Sequence, residues 1–298
     1  MLAAFLTTIL FAFSAVAAAR TTRVLGSLDA NFWRILVATG LLGLWAHSFG
    51  QGISGVGFPF FLLSGAIGFG IGDLALYYAY PRLGARLSIM LVHCLASPIA
   101  TAIEWLWLGN TISITQMLCS TTILVGVAIA LAPGKHFESA GRTLLLGILF
   151  GSIAAFGQGF GAVLSRKAYA VAESAGQSID GLTAAYQRIL AGLVIATISM
   201  LIGKLQDKTS LKLPPAETKI PIAFWVVLNA LAGPTLGVSC YQWALATTPT
   251  GLVLPIVAIT PLMVIPFARY IEGERPSKRS LAGGVIAVLG AVALATTR

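Results

Sequence analysis

The sequence predicts an all-α integral membrane protein, with ten transmembrane helices arranged as two inverted five-helix repeats. Three observations predict it. Only 10% of the 298 residues are charged, and 57% are hydrophobic before the 32 glycines are counted; soluble domains carry about 25% charged residues. Ten mostly apolar runs, each of roughly the 20 residues that a helix needs to cross the hydrocarbon, follow one another along the chain. The two halves of the chain also resemble each other. So few charges cannot cover a water-facing surface. A soluble globular enzyme, a disordered chain and a disulfide-stapled secreted domain are thereby excluded.

The spans lie at about 2–19, 31–49, 58–80, 86–108, 111–132, 143–164, 182–203, 220–246, 250–271 and 279–297. Span one carries Ala15-Val16-Ala17, which looks like a signal-peptide cleavage site. No basic stretch precedes it, and Arg20 and Arg23 follow it, so it is read as a retained helix. The connections are short. The two longest, about 165–181 and 204–219, are too short for a folded domain, and Lys204, Asp207, Lys208, Pro214 and Pro215 mark the second as a solvated turn. Any chemistry therefore happens among the helices. Cys94, Cys119 and Cys240 sit far apart in apolar runs, with no spacing that suggests a metal site. The net charge of +9 comes without a clustered basic face, so no nucleic-acid partner is expected.

Internal similarity is the most informative feature. Phe32-Trp33-Arg34-Ile35-Leu36 in span two matches Tyr186-Gln187-Arg188-Ile189-Leu190 in span seven. Pro98 to Gly109-Asn110 in span four parallels Pro261 to Gly273-Glu274 in span nine, and Arg20 matches Arg166. The repeats cover about 1–133 and 142–298. Five is odd, so the second repeat enters the membrane from the opposite face. Inverted halves can rock against each other around a site near the midplane, the arrangement of many secondary carriers.

A proline within span four, a Gly-Glu-like exit, then a Ser and a glycine-bearing fifth helix occur twice. This pattern resembles the drug/metabolite transporter superfamily, and within it the EamA-like transporter family. The second half carries the fuller motif, from Pro261 through Glu272-Gly273-Glu274-Arg275-Pro276-Ser277; the first departs from it with Asn110 where the family usually has Glu. The resemblance implies a ten-helix carrier of small organic solutes, often an exporter, and no particular solute.

Thirteen Lys and Arg residues, from Arg20 and Arg23 through Arg275, Lys278 and Arg279, fall on loops of one side. The other side has Arg166, Lys167 and Arg298. The positive-inside rule then puts both termini outside, whereas family usage puts both inside. The expected location is the cell (inner) membrane, as a multi-pass protein in the lipid bilayer.

Charges at membrane depth are costly and face the bundle interior or a wet cavity. Asp73, Tyr77 and Tyr80 share one face of span three. Asp73 either lines a cavity, titrating or holding a cation, or pairs with a buried Arg or a backbone group. His93, Ser97, Thr101 and Glu104 form a polar stripe along span four, with His93 open to both a core role and a proton relay. Arg34 and Arg188 either snorkel to the headgroups or bind an anion or an acid such as Asp73. Trp33 and Gln187 precede them. Tyr186, Gln158, Ser239, Gln242 and Trp243 complete the candidate cavity, and Pro98, Pro255 and Pro261 are candidate kinks or gates. Gly126, Gly283, Gly284 and Gly290 mark spans five and ten as scaffold or as a homodimer contact.

These residues mix aromatic faces with neutral hydrogen-bonding groups. That suits a small-molecule solute such as an amino acid or a related polar compound. No phosphate-binding loop is present and no cofactor is expected, so a solute gradient or a coupling proton supplies the work. The alternative is an integral membrane enzyme acting on a lipid-linked substrate, which needs clustered acids, histidines or a metal; the acids here are scattered.

Overall fold

The structure is a computed structural model that describes residues 2–108, 113–131, 141–206, 221–248, 250–272 and 276–296. Among the described residues every regular element is helical. The Gly109-Asn110 and Gly273-Glu274-Arg275 exits and the loop residues Asp207, Lys208, Pro214 and Pro215 lie outside them, as does the side chain of Glu104.

Helix α1 runs over Leu2–Leu25 and α2 over Ser27–Ser48. Gly26 alone separates them, with φ 81° and ψ 167°, a conformation that is essentially restricted to glycine. Phe58–Gly65 (α3) continues through a π-helical segment, Ala66–Gly72, into α4, Asp73–Leu108. Gly84 interrupts α4 with nearly the same backbone angles as Gly26, φ 76° and ψ 173°. The apolar stretch Phe58–Trp107 is 50 residues long, about twice what one crossing needs, and Gly84 divides it as the gap between spans three and four anticipated. Next come α5 (Ile114–Leu131), α6 (Gly141–Ser174) and α7 (Gly181–Gln206). Helix α8 (Ile222–Ala230) passes through a second π-helical segment, Leu231–Thr235, into α9, Leu236–Thr247. Helices α10 (Thr250–Val257) and α11 (Thr260–Phe267), a third π-helical segment (Ala268–Glu272) and α12 (Lys278–Thr296) complete the chain.

Among the described residues six stretches are long and apolar enough to cross a membrane: Leu2–Leu25, Phe58–Trp107, Gly141–Ser174, Gly181–Leu205, Ile222–Thr247 and Thr250–Ile271. Helix α2 is more polar than a simple span, with Asp29, Asn31, Arg34 and His47 in its 22 residues. Large apolar side chains cover the outside of the bundle, among them Leu44, Leu106, Met117, Leu124, Ile198 and Leu289. Hydroxyls within the helices close on their own backbone: Thr7 Oγ1 donates to Ala3 O at 2.9 Å and Thr197 Oγ1 to Leu193 O at 2.7 Å. This is how a polar side chain avoids going unsatisfied in lipid.

The halves interlock. Helix α3 packs on α6 and α7 of the other half, and α8 packs on α1 and α2. Helix α2 packs on α7, and α5 on α12. Exchanging the halves leaves this pattern unchanged. The cross-half hydrogen bonds follow it: Ser64 Oγ donates to Gly161 O at 2.7 Å, and Ser14 Oγ donates to Asn229 Oδ1 at 2.8 Å. The α5–α12 contact is made backbone to backbone at Gly126, Gly283 and Gly290, so this small-residue face is used within the chain.

The segment after α9 is broken at Ala258 and Ile259, between Pro255 and Pro261. The carbonyls freed there find donors: Thr8 Oγ1 reaches Ile256 O at 3.3 Å, Thr260 Oγ1 reaches Val257 O at 2.6 Å, and the Cys94 thiol faces Ala258 O at 3.9 Å. The break is thus hydrogen-bonded in this conformation. Pro98 lies inside the continuous second half of α4.

Candidate functional site

The first two π-helical segments, Ala66–Gly72 and Leu231–Thr235, occupy equivalent positions of the two halves. Each shifts the helix register where two packed helices of the other half pass, and a cavity lies between them. Its empty space, with the open mouth and adjoining solvent counted, amounts to about 690 Å³. Both halves line it: Phe11, Ser14, Arg34, Phe69, Asp73, Tyr77, Tyr80 and His93 from the first, and Gln158, Arg188, Gly233, Pro234, Val238 and Tyr241 from the second.

Arg34, only 5% exposed, forms an ion pair with Asp73. Its guanidinium also donates to Asn31 Oδ1 from Nε at 3.3 Å and from Nη2 at 3.1 Å. The Tyr77 ring lies beneath it at 4.7 Å, and the Tyr77 hydroxyl accepts a hydrogen bond from Asn229 Nδ2 at 2.5 Å. A buried charge needs such a complete set of partners. Of the readings open for Arg34 and Asp73 from sequence, the pairing of one with the other is what the structure contains.

Arg188 is the equivalent residue of α7 and is 3% exposed. Its guanidinium lies against the backbone of Gly68 and Gly161, where an added methyl would stand 3.0 and 3.3 Å from Nη2. The Phe69 ring sits 5.4 Å from it. The position matching Asp73 in the second half is Val238, and among the described residues no carboxylate reaches ion-pair distance of Arg188. Its Nε has no hydrogen-bond acceptor.

His93 stacks on Phe11, with centroids 5.5 Å apart and planes 8° apart, and its Nδ1 is unpartnered. Gln158 Nε2 and the Tyr241 hydroxyl are also buried without partners.

The structure therefore brings together Arg34, Asp73, Tyr77, His93, Gln158 and Arg188 from the sequence candidates. The others are elsewhere. Trp33 and Trp243 are 45% and 51% exposed on the outer surface. Each is one residue from a buried position, and one residue turns a helix by about 100°. Tyr186 packs on α2, its hydroxyl 3.1 Å from His47 Nε2. Gln187 is buried against the turn after α2, with Nε2 donating to Gly52 O at 3.0 Å and Ser54 O at 2.9 Å. Ser239 Oγ donates to Thr235 O at 2.5 Å. Gln242 is fully buried away from the cavity wall, its amide unpartnered. Ser97 and Thr101 border a separate small pocket with Pro255, so the polar stripe of α4 serves two spaces. Phe11, Ser14 and Pro234 are not among the expected residues; Phe11 and Ser14 lie on α1, an alanine-rich helix in which nothing marks them, and Pro234 lies in the π-helical segment Leu231–Thr235.

Comparison with known proteins agrees with this plan. No curated protein matches the sequence. One crystal structure among 28 matching solved chains superposes with a TM-score of 0.67 at 16% identity, covering 99% of this chain and 96% of that one; this likeness concerns the fold. The model of the EamA-like transporter family matches residues 1–132 and again 145–296. The protein is a multi-pass membrane protein and belongs to the EamA-like transporter family of the drug/metabolite transporter superfamily.

Proposed function

We propose that the chain is a ten-pass secondary carrier that moves a small polar organic solute, of about the size of an amino acid, by alternating access. One observation carries this reading: a cavity between the halves to which each contributes its equivalent arginine, Arg34 and Arg188. Two inverted five-helix repeats, about 1–133 and 142–298, would expose such a cavity to each side in turn. A solute or proton gradient supplies the work, and export is the expected direction. The family match favours transport over an enzyme acting on a lipid-linked substrate.

The test is counterflow of labelled metabolites in proteoliposomes. Val238 lines the cavity from α9. Val238→Trp fills part of it and is expected to reduce flux at least tenfold while the protein remains folded. Undiminished flux would place the route elsewhere.

The bias of basic loop residues supports termini outside the cell membrane. A phosphatase fused after Arg298 is expected to be active, and a reporter that works only in the cytoplasm is expected to be silent. The reverse pattern would overturn the orientation.

A further inference from the structure

The geometry points to the chemical class of the solute: an amphipathic organic monoanion, whose carboxylate is held by Arg188 while its apolar part lies among the aromatic and aliphatic walls. This deepens the carrier reading and rests on it. Arg34 and Asp73 neutralise each other inside the cavity, which leaves Arg188 without a counter-ion at ion-pair distance among the described residues. Asp73 acts on Arg188 only from beyond ion-pair distance, because its carboxylate is held by Arg34.

The second observation is the set of polar groups without protein partners. Arg188 Nε, Gln158 Nε2 and the Tyr241 hydroxyl belong to residues lining one cavity, and none has an acceptor. Arg188 and Tyr241 are almost wholly buried. All three can donate, and donors left unsatisfied in a low-dielectric site are costly. His93 Nδ1 adds a fourth unpartnered position, donor or acceptor according to its tautomer. A guanidinium fork matches a carboxylate in two parallel hydrogen bonds. The glycines at 68 and 161 leave the guanidinium room against the backbone.

The rest of the wall sets the remainder of the molecule. Phe69, Leu76, Ile89, Val92 and Val238 are apolar, so a single charged head on an apolar body fits, and a multiply charged solute does not. Among the described lining residues the one carboxylate, Asp73, is engaged by Arg34, which disfavours the ammonium of a zwitterion relative to its deaminated counterpart.

The experiment uses the full-length protein in nanodiscs and an isosteric set of probes: 3-phenylpropionate, 3-phenylpropionamide, 3-phenylpropylamine and phenylalanine. Binding is measured by calorimetry. The carboxylate is expected to bind at least tenfold more tightly than the amide, the amine or the zwitterion. Arg188→Gln is expected to erase that preference, whereas Arg188→Lys keeps it at weaker affinity. Trp33→Leu, on the outer surface, is the control and leaves it unchanged.

Equal binding of amide and carboxylate, no binding of the carboxylate, or a preference that survives Arg188→Gln would each overturn the inference. If neither variant folds, the ranking by the wild-type protein decides alone. Discs with and without phosphatidylglycerol separate a free anion from a lipid headgroup, and competition by the anionic lipid would count against a free solute. Solute flux without any charge preference would overturn only this inference; absence of flux for every solute would overturn the carrier reading itself.

Discussion

Replacing Asp73 with Asn is expected to destabilise the protein by about 3–5 kcal/mol, the usual cost of leaving one partner of a buried ion pair uncompensated. The low end of that range applies, because the Asp73 side chain retains 21% exposure towards the cavity. The loss falls on Arg34, which keeps its position over Tyr77 and beside Asn31 but loses its only counter-ion among the described residues. Removing the charge together with its partner tests the cause. Arg34→Met combined with Asp73→Leu is expected to restore most of the stability, since a buried pair replaced by apolar groups of similar volume is often neutral. Equilibrium unfolding in mixed micelles, arranged as a double-mutant cycle, measures the coupling. Additive losses would mean that the pair contributes nothing as a pair. The double variant also bears on a coupling proton: if it folds and still drives uphill transport, Asp73 is not the proton carrier.

The second large effect is expected at Gly65. Its Cα faces the backbone carbonyl of Arg188, so closely that a methyl group there would overlap it. Helices α3 and α7 cross at this contact, and a backbone atom cannot rotate out of the way as the end of a flexible side chain can. Gly65→Ala therefore has to push α3 from α7. Overpacking of this kind costs about 1–3 kcal/mol, occasionally more, and it displaces the segment that carries Arg188. Gly40→Ala, where nothing lies within 4 Å, is the matched control. Thermal unfolding in nanodiscs should show a clear drop for Gly65→Ala and little or none for Gly40→Ala. Equal melting temperatures would show that the crossing adjusts without loss.

Much of the site was legible from charge placement alone. Arg34, Asp73, His93 and Arg188 were marked because a polar side chain at membrane depth needs a protected environment, and all four line the cavity. Aromatic residues gave no such signal. Tyr77 and Trp243 occupy nearly matching positions of the two halves, yet Tyr77 is buried under Arg34 and Trp243 faces outward. Indole and phenol rings are stable in either setting, so composition cannot tell them apart. Phe11 and Ser14 gave less still, since an alanine-rich helix offers no periodic contrast between its faces.

The sequence by itself determined the membrane location, the order of the apolar segments and the doubling of one plan, because these depend on local composition and on similarity between distant stretches. Only the tertiary structure decided which faces meet. Arg34 and Asp73 lie 39 residues apart, and nothing local distinguishes the arginine that has an acid from the one that does not. That difference arises where α2 meets α4 within the first half, at a rotation of about 100° per residue. A shift of one position there moves a side chain from the cavity to the lipid.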